Sequence, residues 1–203
     1  CRKIYSKGSQ TLRRSADCNI TVLHCVIYIM GGQIRMKAII YTSNTGSTAE
    51  YAQLLGKELN LPVHSLQQAK NKVPAGSEII YLGWIMAGGI KGYKEAAKLY
   101  KVRAVCGVGM GQTGTQLKEV RDKNAIPQRI PLFTLQGNFD VKKLHGVYRF
   151  MMNVMVKTAG KGLANKTDRT PEEDDMLDMM VNGGKRVSLQ NLKAVTEWYK
   201  SVY

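Results

Sequence analysis

The residues with the clearest capacity for chemistry stand together. Ser43, Asn44, Thr45, Gly46, Ser47 and Thr48 lie between the apolar run Ile39-Ile40-Tyr41 and a segment with helical spacing. Small hydroxylated residues around one glycine, at a strand-to-helix junction, suit a dianionic phosphate. The first N–H groups of a helix lack intrahelical partners and point at such a ligand, and Ser43, Thr45, Ser47 and Thr48 can add hydroxyl donors. The loop contains no lysine and no G-x-x-x-x-G-K-[ST], which disfavours a nucleoside triphosphatase, and it lacks G-x-G-x-x-G. A plainer reading stays open: an ordinary strand-to-helix turn closed by a Ser47/Glu50 capping box.

Two glycine-rich stretches follow later strands, Trp84-Ile85-Met86-Ala87-Gly88-Gly89 and Gly107-Val108-Gly109-Met110-Gly111-Gln112-Thr113-Gly114. Glycine permits close backbone approach to a flat ligand and peptide conformations closed to other residues. Trp84 can supply a stacking face or can belong to the core. Other reactive groups are sparse. Cys1, Cys18, Cys25 and Cys106 show no CxxC or other metal-ligand spacing. His145 has no nearby serine, cysteine or acid that would make a catalytic constellation, so no catalytic side chain and no metal site is assigned.

The elements that must position these residues alternate. Strands are expected at Lys37–Tyr41, Val63–Leu66, Glu78–Trp84, Val102–Val108 and Pro131–Gln136, and helices at Thr48–Leu59, Lys94–Tyr100 and Thr115–Lys123. That order implies an α/β protein, a parallel sheet with helices on both faces. In the C-terminal third, Thr170-Pro171-Glu172-Glu173 reads as a capped helix start and Gly183-Gly184 as its end. Ser188 is placed to cap a last helix with Leu189, Leu192, Val195, Tyr199 and Val202 on one face.

An apolar pair, an aromatic, S-x-T-G-x-T, then alanine and two leucines at fixed helical offsets (Ile39, Ile40, Tyr41, Ser43 to Thr48, Ala52, Leu54, Leu55) resemble the flavodoxin signature. The resemblance spans 36–203 and implies a three-layer sandwich whose five-stranded parallel sheet has the order 2-1-3-4-5. It implies FMN as cofactor, with the phosphate on Ser43 through Thr48 at the switch point between strands 1 and 3. It also implies that the flavin ring lies over the loops after the third and fourth strands, at Trp84, Ile85, Met86, Ala87 and Gly88 and at Gly109, Met110 and Gly111, with Trp84 stacking on it. Many flavodoxins have a second stacking tyrosine where Met110 stands here.

The tract from Leu132 to Gly162 is similar to part of the menaquinone-dependent protoporphyrinogen IX dehydrogenase group of flavodoxin-like proteins. The residues that carry this are Gly137, Tyr148-Arg149-Phe150-Met151 and Gly160-Lys161-Gly162. Within it, Val141–Lys157 sets Lys142, His145, Arg149, Asn153 and Lys157 beside a wide face of Val141, Leu144, Val147, Tyr148, Met151, Val154 and Met155. That pattern suits an anionic membrane surface, although the pattern alone favours a helix packed on the sheet. The group's longer basic insertion after the fourth strand is missing, since Gly111 to Ile126 is short.

Charge bears on the partner. The 203 residues carry 30 Lys and Arg against 15 Asp and Glu, a net +15. Residues 1–35 contribute three cysteines and six basic residues against Asp17; they read as a leader, disordered or a mis-set start ahead of Met36. From Met36 to Thr167 there are 19 basic and 7 acidic residues, whereas six acids face Arg169 within 168–178. A basic body stabilises an anionic reduced flavin, by at most roughly 1.7 kcal/mol per charge at about 10 Å and effective ε near 20. The resemblances imply a redox protein or a quinone as partner, and the basic charge suits peripheral contact on an anionic membrane. A flavin-free nucleic-acid-binding module is the third possibility; dispersed lysines and the absence of a recognised motif argue against nucleic acid. Cys106 alone in 36–203 fits a reducing cytoplasm, with the inner face of the membrane as the alternative location.

Overall fold

Apolar residues run without alternation through the central strands because both faces of the sheet are covered. Ile39 and Ile40 in β1 (Ala38–Thr42), Ile79 to Leu82 in β3 (Glu78–Met86), and Ala104 to Cys106 in β5 (Lys101–Gly109) are completely buried. The computed structural model describes residues 36–138, 150, 153, 154, 157, 158, 161, 162 and 164–203. The described residues all lie in one compact unit, Arg35–Tyr203. The expected leader lies outside the described residues, as does most of the expected basic helix at Val141–Lys157.

The parallel sheet runs β2-β1-β3-β5-β6, with β2 at Val63–Ser65 and β6 at Leu132–Gln136. In order of parallel strands this is 2-1-3-4-5, the flavodoxin-like order. Register is continuous at the carboxyl end, where Thr42 pairs with Gly83, Trp84 with Val108 and Gly109 with Gln136. Side chains alternate to two cores. One takes Ile39, Ile80, Leu82, Cys106 and Leu135 against Tyr51, Ala52 and Leu55 of α1 (Ser47–Leu59) and against Leu192 and Val195 near the C-terminus. The other takes Ile40, Ile79, Tyr81 and Val105 against α2 (Leu66–Lys72), α3 (Tyr93–Leu99) and α4 (Leu117–Asn124). Helices on both faces make the three layers of an α/β sandwich.

Several details depart from expectation. Leu66 is the first residue of α2 rather than the end of a strand, because Ser65 accepts from the Gln68 N–H while the Gln68 side chain accepts from the Ser65 N–H. That reciprocal box stops β2 after three residues. Trp84 to Gly89 is not simply a loop. β3 continues to Met86, turns at Ala87-Gly88 and returns as β4 (Gly89–Ile90), which pairs antiparallel with it. Both turn residues have positive φ, +47° at Ala87 and +75° at Gly88, as a two-residue type I′ hairpin demands. An L-residue with a Cβ pays for that conformation. Ala87→Gly should therefore raise stability by roughly 1 kcal/mol in urea unfolding, after allowing for the added freedom of the unfolded chain.

At the C-terminus, α5 (Pro171–Asn182) begins as expected, with Thr170 and Glu173 forming a capping box and Pro171 in the first turn. Gly183, at φ +68°, ends it. The last helix differs. A 3-10 turn at Gln190–Leu192 leads into α6 (Lys193–Val202), and Ser188 does not cap it. The tighter turn shifts the phase, so Leu192, Val195, Trp198 and Tyr199 face the sheet while Leu189 and Val202 are more than half exposed. Among the described residues no helix is long and apolar enough to cross a membrane. Cys106 sits in the core, where burial pushes its thiol up to about 12 and keeps it in the unreactive protonated form.

Candidate functional site

The loop from Ser43 to Gly46 leaves the carboxyl end of β1 and delivers the chain into α1. Gly46 is the residue before the helix, at φ +105°, and makes no side-chain cap; a Cβ there would meet nothing within 4 Å. The Ser47/Glu50 capping box does not form. Glu50 instead accepts from Asn138 Nδ2 at 2.9 Å. The opening turn of this 13-residue helix thus has no side-chain cap, next to Ser43, Asn44 and Thr45, of which Asn44 is exposed. Ser43 Oγ accepts from the Gly46 N–H at 3.2 Å, which curls the loop back on itself.

The hydroxylated residues do not all play one part. Ser47 is buried, and its hydroxyl both donates to the Asn138 carbonyl, at 3.3 Å, and accepts from the Asn138 N–H, at 3.0 Å. Its proton is used within the protein, so it braces the loop, and the half-buried Ser43 and Thr45 hydroxyls and the backbone remain as candidate donors. Thr48 is also buried, at 1% exposure.

Beneath the loop, a buried phenol anchors the end of β1. The Tyr81 hydroxyl lies 2.8 Å from Thr42 Oγ1 and donates to the Lys91 carbonyl at 2.7 Å. Burial raises its pKa far above the ordinary tyrosine value, with the Thr42 hydrogen bond opposing, so it stays protonated. The sequence offered no sign of this arrangement, which also needs Gly92: at φ +79° its Cα faces the Tyr81 and Thr42 oxygens with no space for a side chain.

Trp84 extends beyond the last residue of β1 and pairs with Val108. Its ring is half-buried, and the Lys91 ammonium stands 5.7 Å from the ring centroid, a cation–π distance. Ile85 points to the opposite face and covers Gly107 and Gly109: a Cβ on Gly107 would lie 2.8 Å from Ile85 Cδ1. These glycines serve the packing of Ile85 on the sheet face away from α1. Ala87 and Gly88 are carried over α4, where buried Asn124 fastens them. Asn124 Oδ1 accepts from the Ile90 N–H at 2.7 Å and Nδ2 donates to the Gly88 carbonyl at 2.9 Å.

After β5, Gly109, Met110 and Gly111 lead into a segment clamped to β6. The Gly114 N–H donates to the Thr134 carbonyl, the Gln136 N–H to Thr113 Oγ1, and the Thr134 hydroxyl to the Thr115 carbonyl. The Gly137 N–H reaches the Gly109 carbonyl at 2.8 Å, and a Cβ on Gly137 would lie 3.2 Å from that of Ser47. The structure therefore brings Ser43–Thr48, Trp84 and Gly109 to the carboxyl end of the sheet, while Ala87 and Gly88 sit over α4. Gly137, Asn138, Gly92 and Asn124 complete the frame. Only Gly137 had a sequence signal, as the glycine ending a strand. No protein-family model matches this chain, and no curated protein matches it at a significant level.

Proposed function

We propose that this protein binds FMN and acts as an oxidoreductase or electron carrier of the flavodoxin type. The observation that carries the proposal is the opening of α1: a helix N-terminus without a side-chain cap, in a hydroxyl-rich loop, at the point where β1 and its neighbours diverge. In an open α/β sheet, ligands settle at that switch point, and anions favour the positive end of a helix. The residues fit a phosphate group in chemistry, since Ser43, Thr45 and the backbone N–H groups provide neutral donors. Trp84, with Gly109 at the end of β5 and Met110 just after it, supplies the apolar and aromatic surface a flat ring requires.

When bound, the flavin supplies the redox chemistry. The protein's own part is to hold the phosphate, to position the ring, and to bias its potential with a basic body. No side-chain nucleophile or general base takes part in this reading, and Cys106 is sealed away from it.

A second reading, a quinone-dependent dehydrogenase at the inner face of an anionic membrane, draws support from Phe150 and Val154. These apolar side chains, one helical turn apart, are 70% and 45% exposed beside exposed Asn153 and Lys157. In either reading the protein works from the cytoplasm.

The absorption spectrum of the purified 203-residue chain with added FMN tests the proposal. Bands near the flavin wavelengths that persist through desalting are expected. Protein that remains colourless under saturating FMN, yet retards RNA or DNA in a salt-sensitive manner, overturns it in favour of a nucleic-acid-binding module.

A further inference from the structure

We infer that Asn138 is the positioning residue of the proposed phosphate loop, fixing the first turn of α1 and turning the Glu50 carboxylate away from the anion. The inference rests on the FMN reading above and assigns how that site is held.

Asn138 follows Gly137 just after β6 and uses its backbone and side-chain polar atoms on two other segments. Its N–H and carbonyl both engage the Ser47 hydroxyl, at 3.0 and 3.3 Å. Its Oδ1 accepts from the N–H groups of Arg186 and Val187, at 2.7 and 3.0 Å. Its Nδ2 donates to Glu50 Oε2 at 2.9 Å. One side chain thereby joins α1, β6 and the segment after α5. Arg186 is itself fixed by ion pairs to Asp175 and Asp178 of α5, at 3.0 and 3.2 Å.

Glu50 gives this geometry its meaning. A carboxylate in the first turn of a helix competes with any bound anion for the positive end. The loop has no lysine to offset it. A neutral amide can hold Glu50 without adding charge, while leaving Ser47 braced and the start of α1 without a side-chain cap. Gly137 makes the approach possible, because a Cβ there would press on Val108 Cγ1 at 3.0 Å and on Ser47.

Fluorescence titrations of FMN and riboflavin, on the 203-residue chain and its variants, test the assignment. Asn138→Asp keeps an acceptor for Arg186 and Val187, so the C-terminal segment stays docked, but sets one carboxylate against another. Its FMN Kd should rise at least tenfold while the riboflavin Kd stays within twofold, and Glu50→Gln in that background should recover most of the loss. Glu50→Gln alone keeps the amide bond and serves if Asn138→Asp fails to fold; it should tighten FMN about threefold and leave riboflavin unchanged. Equal loss of both ligands, unchanged FMN binding, or no rescue by Glu50→Gln overturns the inference. Wild-type protein that binds neither flavin overturns the FMN reading and the inference together, whereas wild type that binds FMN beside an indifferent Asn138→Asp overturns the inference alone.

Discussion

Gly92→Ala should cost about 4 kcal/mol of stability, measured by urea denaturation, the sum of a strained left-handed backbone and overpacking. At φ +79°, a Cβ would fall on the Tyr81 phenol oxygen, 2.5 Å from Thr42 Oγ1 and 3.2 Å from Leu66 Cδ2. None of these can retreat cheaply. Tyr81 is completely buried and bonded on two sides, and Thr42 is the last residue of β1. Relief of the clash would break the Tyr81–Thr42 bond and move the start of the candidate loop. On the proposed FMN reading, affinity for the flavin should therefore fall even under conditions where the variant is fully folded. A loss below about 1 kcal/mol would mean that the chain between β4 and α3 can shift without disturbing Tyr81.

Asn124→Ala is the second large effect, at about 3 kcal/mol. The variant leaves the buried Ile90 N–H and the partly buried Gly88 carbonyl without their partner, and a buried orphan costs roughly 1–3 kcal/mol. Asn124 is 6% exposed, so water has little access to replace it. The damage should be local as well as global. Amide exchange should quicken across Ile85–Ile90, because a two-residue strand has little pairing of its own, while Ile39, Ile80 and Val105 remain protected until global unfolding. Unchanged exchange at Ile90 would show that the hairpin stands without its α4 anchor.

The sequence disclosed whatever depends on periodicity. The strands β1, β3, β5 and β6 and the helices α1, α3 and α4 stand within two residues of their expected ends, apart from the growth of β3 into a hairpin, and the sheet order matches. Ser43–Thr48 was legible because a strand, a small hydroxylated loop and a helix lie consecutively in the chain. What was hidden depends on contacts between distant residues. Asn138 meets Ser47 across 91 positions and Arg186 across 48. Nothing local marks Asn138 or Gly92 as necessary. Two misses were more accessible. Ser65-Leu66-Gln67-Gln68 has the spacing of a capping box, and Ala87-Gly88 stands between residues that pair across a tight turn. In each case the apolar run outweighed the punctuation beside it. The phase of the last helix failed for another reason, since a 3-10 turn advances side chains by more than 100° per residue.

The clamp on β6 has a consequence for how this molecule meets other molecules. Open sheet edges invite a foreign strand, the route to aggregation and to strand-addition complexes. Here one edge, β2, is only three residues long and enters directly from Pro62. Along the other, the outward carbonyl of Thr134 and the outward N–H of Gln136 are already taken by Gly114 and Thr113. Among the described residues, the short β2 and these occupied groups of β6 leave little main chain open to a foreign strand. A protein partner is then met chiefly through side chains, by charge and shape, a mode that salt can loosen and that lets an encounter end as quickly as it began.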